Sequence, residues 1–435
     1  MYEKAVADIE QLIRKQDQWR DMCINLIASE NVMSKRVRNR AGSDFAHRYA
    51  EGHPGERYYR GTTYIDELEN QLKANLQLLF ECDHTEVRPI SGTNANEAVF
   101  SRFVRPGDVV MVNSTPAGGH ISHHKEGSLG KFTKNIIDIP MTPDGYHLDV
   151  EKTSYLIEKA KPKVIVLGKS LFLFPEPVQG LYEVCKSYGT RIIYDAAHVL
   201  GLIAGKQFQR PLKEGAFLMT ASTHKTFFGS QRGIILSNME AEFWRKIDRG
   251  AFPGSSSNHH LDTLAQMAIC TYEMMEFGEL YAQNTIKNAK TLAATLDQFG
   301  FEVQGKEFGF TNTHQIAVNV KTFGGGERVS RILEMNDIIV NMNMLPHEPL
   351  SSHDRPDGIR IGVQEMTRFG MGEEEMGIIA QLIKECVISK KAVKEEANRL
   401  RSKYQHVKYS YDDPTPRQLE VVGGKSIGSK LGIQT

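Results

Sequence analysis

The sequence predicts an α/β chain, with a large domain built on a mostly parallel sheet and a smaller α+β domain on its C-terminal side. Three observations lead there. The chain has 435 residues, and a single hydrophobic core stops growing efficiently at roughly 250–300 residues, beyond which chains divide. From about residue 65 to about residue 250, short apolar runs alternate with helical patterns, the signature of parallel strands joined by helical crossovers. One long helical stretch then leads into shorter strand candidates and charge-rich helices.

Taken in order, residues 3–20 place Val6, Ile9, Leu12 and Ile13 on one face of a charged helix, which reads as an amphipathic arm rather than a free-standing unit. The arm is assigned to residues 1–50. The large domain, 51–285, has its strand candidates at Val109–Val112, Val164–Gly168, Ile192–Asp195, Phe217–Ala221 and Gly233–Leu236. The helical stretch from Leu261 to Phe299 is the natural bridge between the domains. Gln315–Val320, Ile338–Asn341 and Gly358–Val363 supply strands to the small domain, 286–408. Residues 409–435, rich in Gly, Pro, Lys and Asp, read as a loose tail.

Composition narrows the partners. Apolar residues make up 40%, charged residues 24%, and Lys+Arg 53 balances Asp+Glu 53, which is ordinary for a soluble globular protein. Nothing in this balance selects nucleic acid or a membrane surface. The N-terminal residues lack the apolar core of a signal peptide, and no apolar run is long enough to cross a bilayer. Five scattered cysteines without CxxC spacing suggest neither a disulfide framework nor a zinc knuckle, so a reducing cytoplasm is the expected location.

Chemistry concentrates at strand ends. Lys225 follows the run Phe217–Ala221 within Ser222-Thr-His-Lys-Thr-Phe-Phe-Gly229, a setting that lowers an amine's pKa and suits reaction with an aldehyde. A lone lysine is more often a solvated surface residue. Asp195, at the end of another strand in Tyr194-Asp-Ala-Ala-His198, either caps the next helix or protonates a ring. Paired with Lys225 it favours the second reading, because pyridoxal 5′-phosphate needs a carboxylate at its pyridine nitrogen. Ser91-Gly92-Thr93, before an apolar helical stretch, offers hydroxyls and backbone N–H groups to a phosphate. His120, His123 and His124 lie close together, yet no carboxylate or cysteine falls at ligand spacing. No metal is expected, and an imidazole stacked on the pyridine ring is the better use.

Together these motifs resemble the serine hydroxymethyltransferase family. The resemblance runs from Leu26 to Met371 through Leu26–Asn31, His47–Gly52, Pro54–Tyr59, Ser91–Asn96, Gly118–His123, the Asp195 and Lys225 segments, and Gly358–Gly362. Several blocks look most like the archaeal branch. It implies an aspartate aminotransferase-like, fold-type I pyridoxal phosphate transferase that interconverts L-serine and glycine with a tetrahydropterin, either tetrahydrofolate or a modified pterin. Lys225 would hold the cofactor as a Schiff base, Asp195 its pyridinium, and His120 would stack on it. Ser91, Gly92 and Thr93 would cradle the phosphate, helped by the loop carrying Gly254 in a neighbouring subunit. Ser170, His198, Thr223, His224 and Tyr49 would also contact the cofactor. Arg360 would clamp the substrate carboxylate, and Ser29, Tyr58, Tyr59 and Asn343 would lie near substrate or pterin. Glu51 would move protons, with Tyr59 and His123 in the catalytic set. Glu51 and Tyr59 would reach the partner's cofactor, which implies a homodimer or a tetramer built from such dimers.

The chain departs from the commonest pattern at Ser230, Gln231 and Ser257-Asn258, changes that the archaeal branch largely shares, and Met342 is less usual. Segments 307–315 and 362–368 are also similar to pterin-independent threonine transaldolases. Rival activities on this scaffold are therefore threonine transaldolase or aldolase chemistry, or transfer to alanine giving α-methylserine. A rival of another class is a pyridoxal phosphate-binding regulatory or RNA-contacting protein without turnover.

Overall fold

The strands form where apolar residues run without interruption, because helices cover both faces of the sheet. A computed structural model of the chain describes residues 2–413. Its main sheet joins β1 (His84–Glu86), β2 (Val110–Val112), β3 (Ile136–Asp138), β4 (Val164–Leu167), β5 (Arg191–Asp195), β6 (Leu218–Ser222) and β7 (Gly233–Ser237). The order is β1-β7-β6-β5-β4-β2-β3. The run from β6 through β5, β4 and β2 to β3 is parallel, and β7 alone is reversed against both its neighbours. The mostly parallel sheet expected from the sequence is thus present.

The pleat separates two cores. Ile165, Leu167, Ile192, Tyr194, Met219 and Ala221 face one layer of helices, while Val164, Val166, Ile193, Leu218 and Ile235 face the other. The second layer includes α2 (Gly92–Phe103). At the parallel strands' carboxyl ends the chain must leave the sheet, and ligands collect there in open α/β sheets.

The long helix α3 (Leu261–Gln298) buries Leu264, Met267 and Tyr281 in the large core. It buries Ala289, Leu292 and Leu296 in a second core. That second core covers an antiparallel sheet of β8 (Glu302–Val303), β9 (Gln315–Asn319), β10 (Asn341–Asn343) and β11 (Gly358–Gly362), ordered β8-β9-β11-β10. The single strand expected at Ile338–Asn341 is divided in two. Ile338–Ile339 pairs in parallel with Ile24–Asn25, whereas Asn341–Asn343 pairs with β11. The arm therefore contributes Ile24 and Leu26 to the second core.

Helix α1 (Tyr2–Met22) buries no residue, and Val6, Ile9, Leu12 and Ile13 are more than half exposed. At the other end, residues 409–413 do not behave as the loose tail expected of them. Arg368 donates to the Tyr409 carbonyl, Asn284 Nδ2 donates to Tyr409 Oη at 2.9 Å, and Ser410 is buried. The rest of that expected tail, 414–435, lies outside the described residues.

One buried ion pair ties the domains to the lysine turn. Arg368, closing the short helix α4 (Gln364–Arg368), donates from Nη2 to Glu273 Oε2 at 2.8 Å, and both side chains are fully buried. Its guanidinium also sits 3.7 Å from the centre of the Phe228 ring. Arg368→Met leaves Glu273 buried without a counter-charge and is expected to cost ~3–5 kcal/mol. Thermal unfolding checks this, and adding Glu273→Gln to that variant should recover part of the loss.

Candidate active site

Ser222 ends β6 and pairs with Gly233 of β7, so the connecting turn projects from the sheet edge. Lys225 rides on this turn. Its shape is held by Thr223 Oγ1 donating to Ser230 O at 2.7 Å and by the Phe228 backbone at φ 52°. Thr226 Oγ1 donates to His198 O at 2.8 Å, and Asn31 Nδ2 donates to Lys225 O at 2.7 Å. The amine Nζ donates to Ser222 Oγ at 3.1 Å. Burial lowers its pKa to about 8, with Arg360 adding to the shift and Asp195 opposing it.

Asp195 lies one strand away. Its Oδ2 accepts from His123 Nε2 at 2.9 Å and from Asn96 Nδ2 at 2.7 Å, and its Oδ1 accepts from Ala197 N at 2.9 Å. Burial alone would raise this carboxyl, but the bonds from His123 and Asn96 win and hold it well below the usual carboxylate range. Asn96 presents its Nδ2 because an ionised carboxylate can only accept, and the Thr220 hydroxyl donates to its Oδ1 at 2.6 Å. The carboxylate is thus kept charged in a nearly dry position.

The phosphate turn closes the same cavity. Ser91 caps α2, its Oγ accepting from Asn94 N at 3.1 Å. A Cβ on Gly92 would stand 2.4 Å from Ser222 Oγ, so a larger residue there would push aside the hydroxyl to which Lys225 is bonded. His120 lies on the opposite wall, its Nδ1 accepting from Ser122 N at 3.1 Å. Burial, reinforced by His123, brings its pKa down to about 4 and keeps the ring neutral. His224 is likewise lowered to about 4, by burial and then by Lys225.

Ser91, Gly92, Thr93, His120, His123, Ser170, Asp195, His198, His224 and Lys225 line one cavity of about 180 Å³. Arg360 on β11 reaches it from the small domain, donating from Nη1 to Ser170 O at 2.7 Å and from Nε to Asn341 Oδ1 at 3.2 Å. Burial lowers the guanidinium to about 10.

Other expected residues lie outside the cavity or, for His123, are committed to Asp195. Thr223 is absent from the cavity wall, its hydroxyl being spent on the lysine turn. Expected in the catalytic set, His123 is fully buried against Asp195 and acts on that carboxylate. Ser29 borders an adjoining groove with His224. Asn343 donates to Met344 O at 2.6 Å. Tyr49, Tyr58 and Tyr59 are exposed, the first and last with ring centres 5.3 Å apart, and Glu51 is half-buried beside them. Gly254 lies outside the cavity, near Arg102 and Arg249.

Sequence reasoning assigned no role to Asn96 or Asn258. Asn258 Oδ1 accepts from Ala50 N at 3.1 Å and its Nδ2 donates to Arg48 O at 3.1 Å, which fastens the Tyr49–Glu51 block to the Phe252–Gly254 loop. Asn96 could have been found from its place on α2, four residues beyond Gly92 and so on the same helix face. Among the described residues no group of three His, Cys, Asp or Glu side chains is placed to hold a metal ion.

The donor set fits pyridoxal phosphate. An amine that no carboxylate among the described residues binds, a carboxylate held charged, a helix start with glycine at the contact and a neutral flat imidazole are what its aldehyde, ring nitrogen, phosphate and ring face require. The crystal structure of L-threonine transaldolase from Pseudomonas fluorescens superposes with a TM-score of 0.85 at 26% identity, covering 94% of each chain. Fold and site together define a fold-type I pyridoxal phosphate enzyme.

The finer relationship comes from sequence. The family pattern of serine hydroxymethyltransferase matches residues 2–383, and the chain belongs to this family of hydroxymethyltransferases. A serine hydroxymethyltransferase of Archaeoglobus fulgidus is 47% identical over 94% of this chain and 93% of its own. One from Methanosphaera stadtmanae is 46% identical over 93% and 96%, and one from Saccharolobus islandicus 44% over 98% and 99%.

Proposed function

We propose that the chain interconverts L-serine and glycine, passing the hydroxymethyl carbon to or from a tetrahydropterin. The supporting observation is Arg360, a buried guanidinium from the small domain bonded to Ser170 O on the wall of the cavity that also holds Lys225 and Asp195. A planar fork there binds a carboxylate in one orientation, and orientation chooses which bond at the neighbouring carbon breaks. When bound, pyridoxal phosphate supplies the electron sink for that carbon.

The chain's own residues supply the rest. Asp195 keeps a proton on the pyridine nitrogen. Lys225, with a pKa of about 8, is partly neutral near physiological pH and can both bind the aldehyde and accept a proton. Glu51 relays the proton of the serine hydroxyl, and Tyr58, Tyr59 and Asn343 border the substrate and pterin.

The active unit is a homodimer in which Glu51, Tyr59 and the Gly254 loop of one subunit complete the cavity of the next. The exposed rings of Tyr49, Tyr58 and Tyr59 and the exposed apolar face of α1 favour such a contact. Five free, buried cysteines suit a reducing cytoplasm, and among the described residues no helix is long and apolar enough to cross a membrane.

The structural likeness to a threonine transaldolase keeps a second reading open, addition of an aldehyde without a pterin. Purified enzyme should be assayed with serine, threonine and alanine, with and without tetrahydropterin. Serine-to-glycine exchange that stops when the pterin is withheld is expected. Threonine turnover of equal rate without pterin would overturn the proposal in favour of transaldolase chemistry, and a product from alanine would point to α-methylserine.

A further inference from the structure

Gln315 opens β9 with no exposed surface, and its two amide ends are not interchangeable. The Phe172 backbone N–H donates to Oε1 at 2.8 Å. A backbone N–H cannot reverse its role, so the nitrogen end is the one that lies 2.8 Å from His198 Nδ1. An amide nitrogen donates only, hence Nδ1 accepts. An imidazole accepting at Nδ1 carries its proton on Nε2 and is neutral.

The surroundings agree with that form. His198 is buried on the cavity wall, and among the described residues its Nε2 has no partner in the chain. The ionisable groups acting on it are Lys225, Arg360, His314 and His120, all of which disfavour a positive charge there. The His314 ring lies nearly parallel to it at 5.8 Å and is held by its own Nε2 donating to Ala28 O at 3.1 Å. One amide therefore connects the loop after β4, the small-domain sheet and an active-site imidazole.

We propose that Gln315 is a positioning residue which locks His198 as the neutral Nε2–H tautomer, a fixed hydrogen-bond donor offered to an anionic oxygen of the ring-bearing cofactor. The tautomer is a property of the chain alone. Only the oxygen it serves rests on the pyridoxal phosphate reading, so the two can fail separately.

The test is nitrogen-15 NMR of histidine-labelled protein, with and without added pyridoxal phosphate, assigned by comparison with His198→Gln. His198 should show a bare Nδ1 and a protonated Nε2 from about pH 6 to about pH 9, with no titration near the usual histidine value. Gln315→Glu keeps an acceptor for Phe172 but turns the other end into an acceptor, so it should place a proton on Nδ1. In the cofactor-loaded variant the pH midpoint of the visible absorbance should move by about one unit or more. Protonated Nδ1 in the wild-type protein would overturn the proposal, and this holds even if the variant fails to fold. A proton switch in Gln315→Glu with an unmoved absorbance midpoint would overturn the part that links His198 to the cofactor. A merely structural role for Gln315 predicts neither change.

Discussion

Lys225→Ala is expected to abolish the visible absorbance of bound cofactor and to cut turnover by on the order of 10²–10⁴-fold, the range lost with a positioned acid–base group. The reason is local. The amine is part-buried, is bonded among the described residues to Ser222 Oγ alone and has a pKa of about 8, so a nucleophilic neutral fraction exists at physiological pH. The same value predicts the pH dependence of cofactor uptake by wild-type apoprotein. The protonated amine is inert, so the rate should rise as pH climbs through about 8 and then level off. The alanine variant should show no such step. Its fold should survive, because the substitution removes a desolvated amine that lacks a bound counter-charge and opens no apolar core. Thermal unfolding of the variant at or above the wild-type midpoint checks that point. Retained absorbance with serine turnover near wild type would sink the assignment of Lys225.

The contrast between what the sequence reveals and what it hides has a physical cause. β4, β5 and β6 stand out because strands buried on both faces must be continuously apolar. β1 and β3 are edge strands of three residues each, His84–Glu86 and Ile136–Asp138, too short and too polar for a pattern to register. The break at Val340 is invisible for another reason: Ile338–Ile339 and Asn341–Asn343 are equally extended and differ only in their partners. At the site, residues whose chemistry is intrinsic, such as Lys225, Asp195 and Arg360, are legible from type and position. The roles of Asn96, Gln315 and Asn258 are not, even where position on a helix face points to the site, because an amide's role is set by which of its ends is already occupied. That information exists only once Asp195, Phe172 and Ala50 have been brought beside them. His123 shows the same limit, being legible as part of the site but not as the residue that holds Asp195.

Asp195→Asn should separate binding from catalysis. Lys225 and the phosphate turn are untouched, so the variant should still bind cofactor and absorb in the visible. Turnover should nevertheless fall by on the order of 10²–10⁴-fold, because a neutral amide cannot hold a proton on the pyridine nitrogen. The neighbours make the substitution more disruptive than its shape suggests. Ala197 N still needs an acceptor and will take Oδ1, which turns the new –NH₂ toward Asn96 and His123. Asn96 must turn its amide, so that Oδ1 accepts from the new –NH₂ and Nδ2 donates to the Thr220 hydroxyl. His123 can adjust, since its Nδ1 has no partner and can take the proton, freeing Nε2 to accept. The wild-type carboxyl, held below its unfolded value by His123 and Asn96, stabilises the fold above the unfolded carboxylate range of about 4, and this contribution fades as pH falls toward the folded value. The variant should accordingly be less stable than wild type at neutral pH, with the gap narrowing on acidification. A cofactor analogue methylated at the pyridine nitrogen carries its charge without a proton and should restore part of the turnover. If Asp195→Asn retained turnover within about tenfold of wild type, a deficit far below that expected for a lost ring proton, the carboxylate would be structural and the ring would draw its charge from elsewhere.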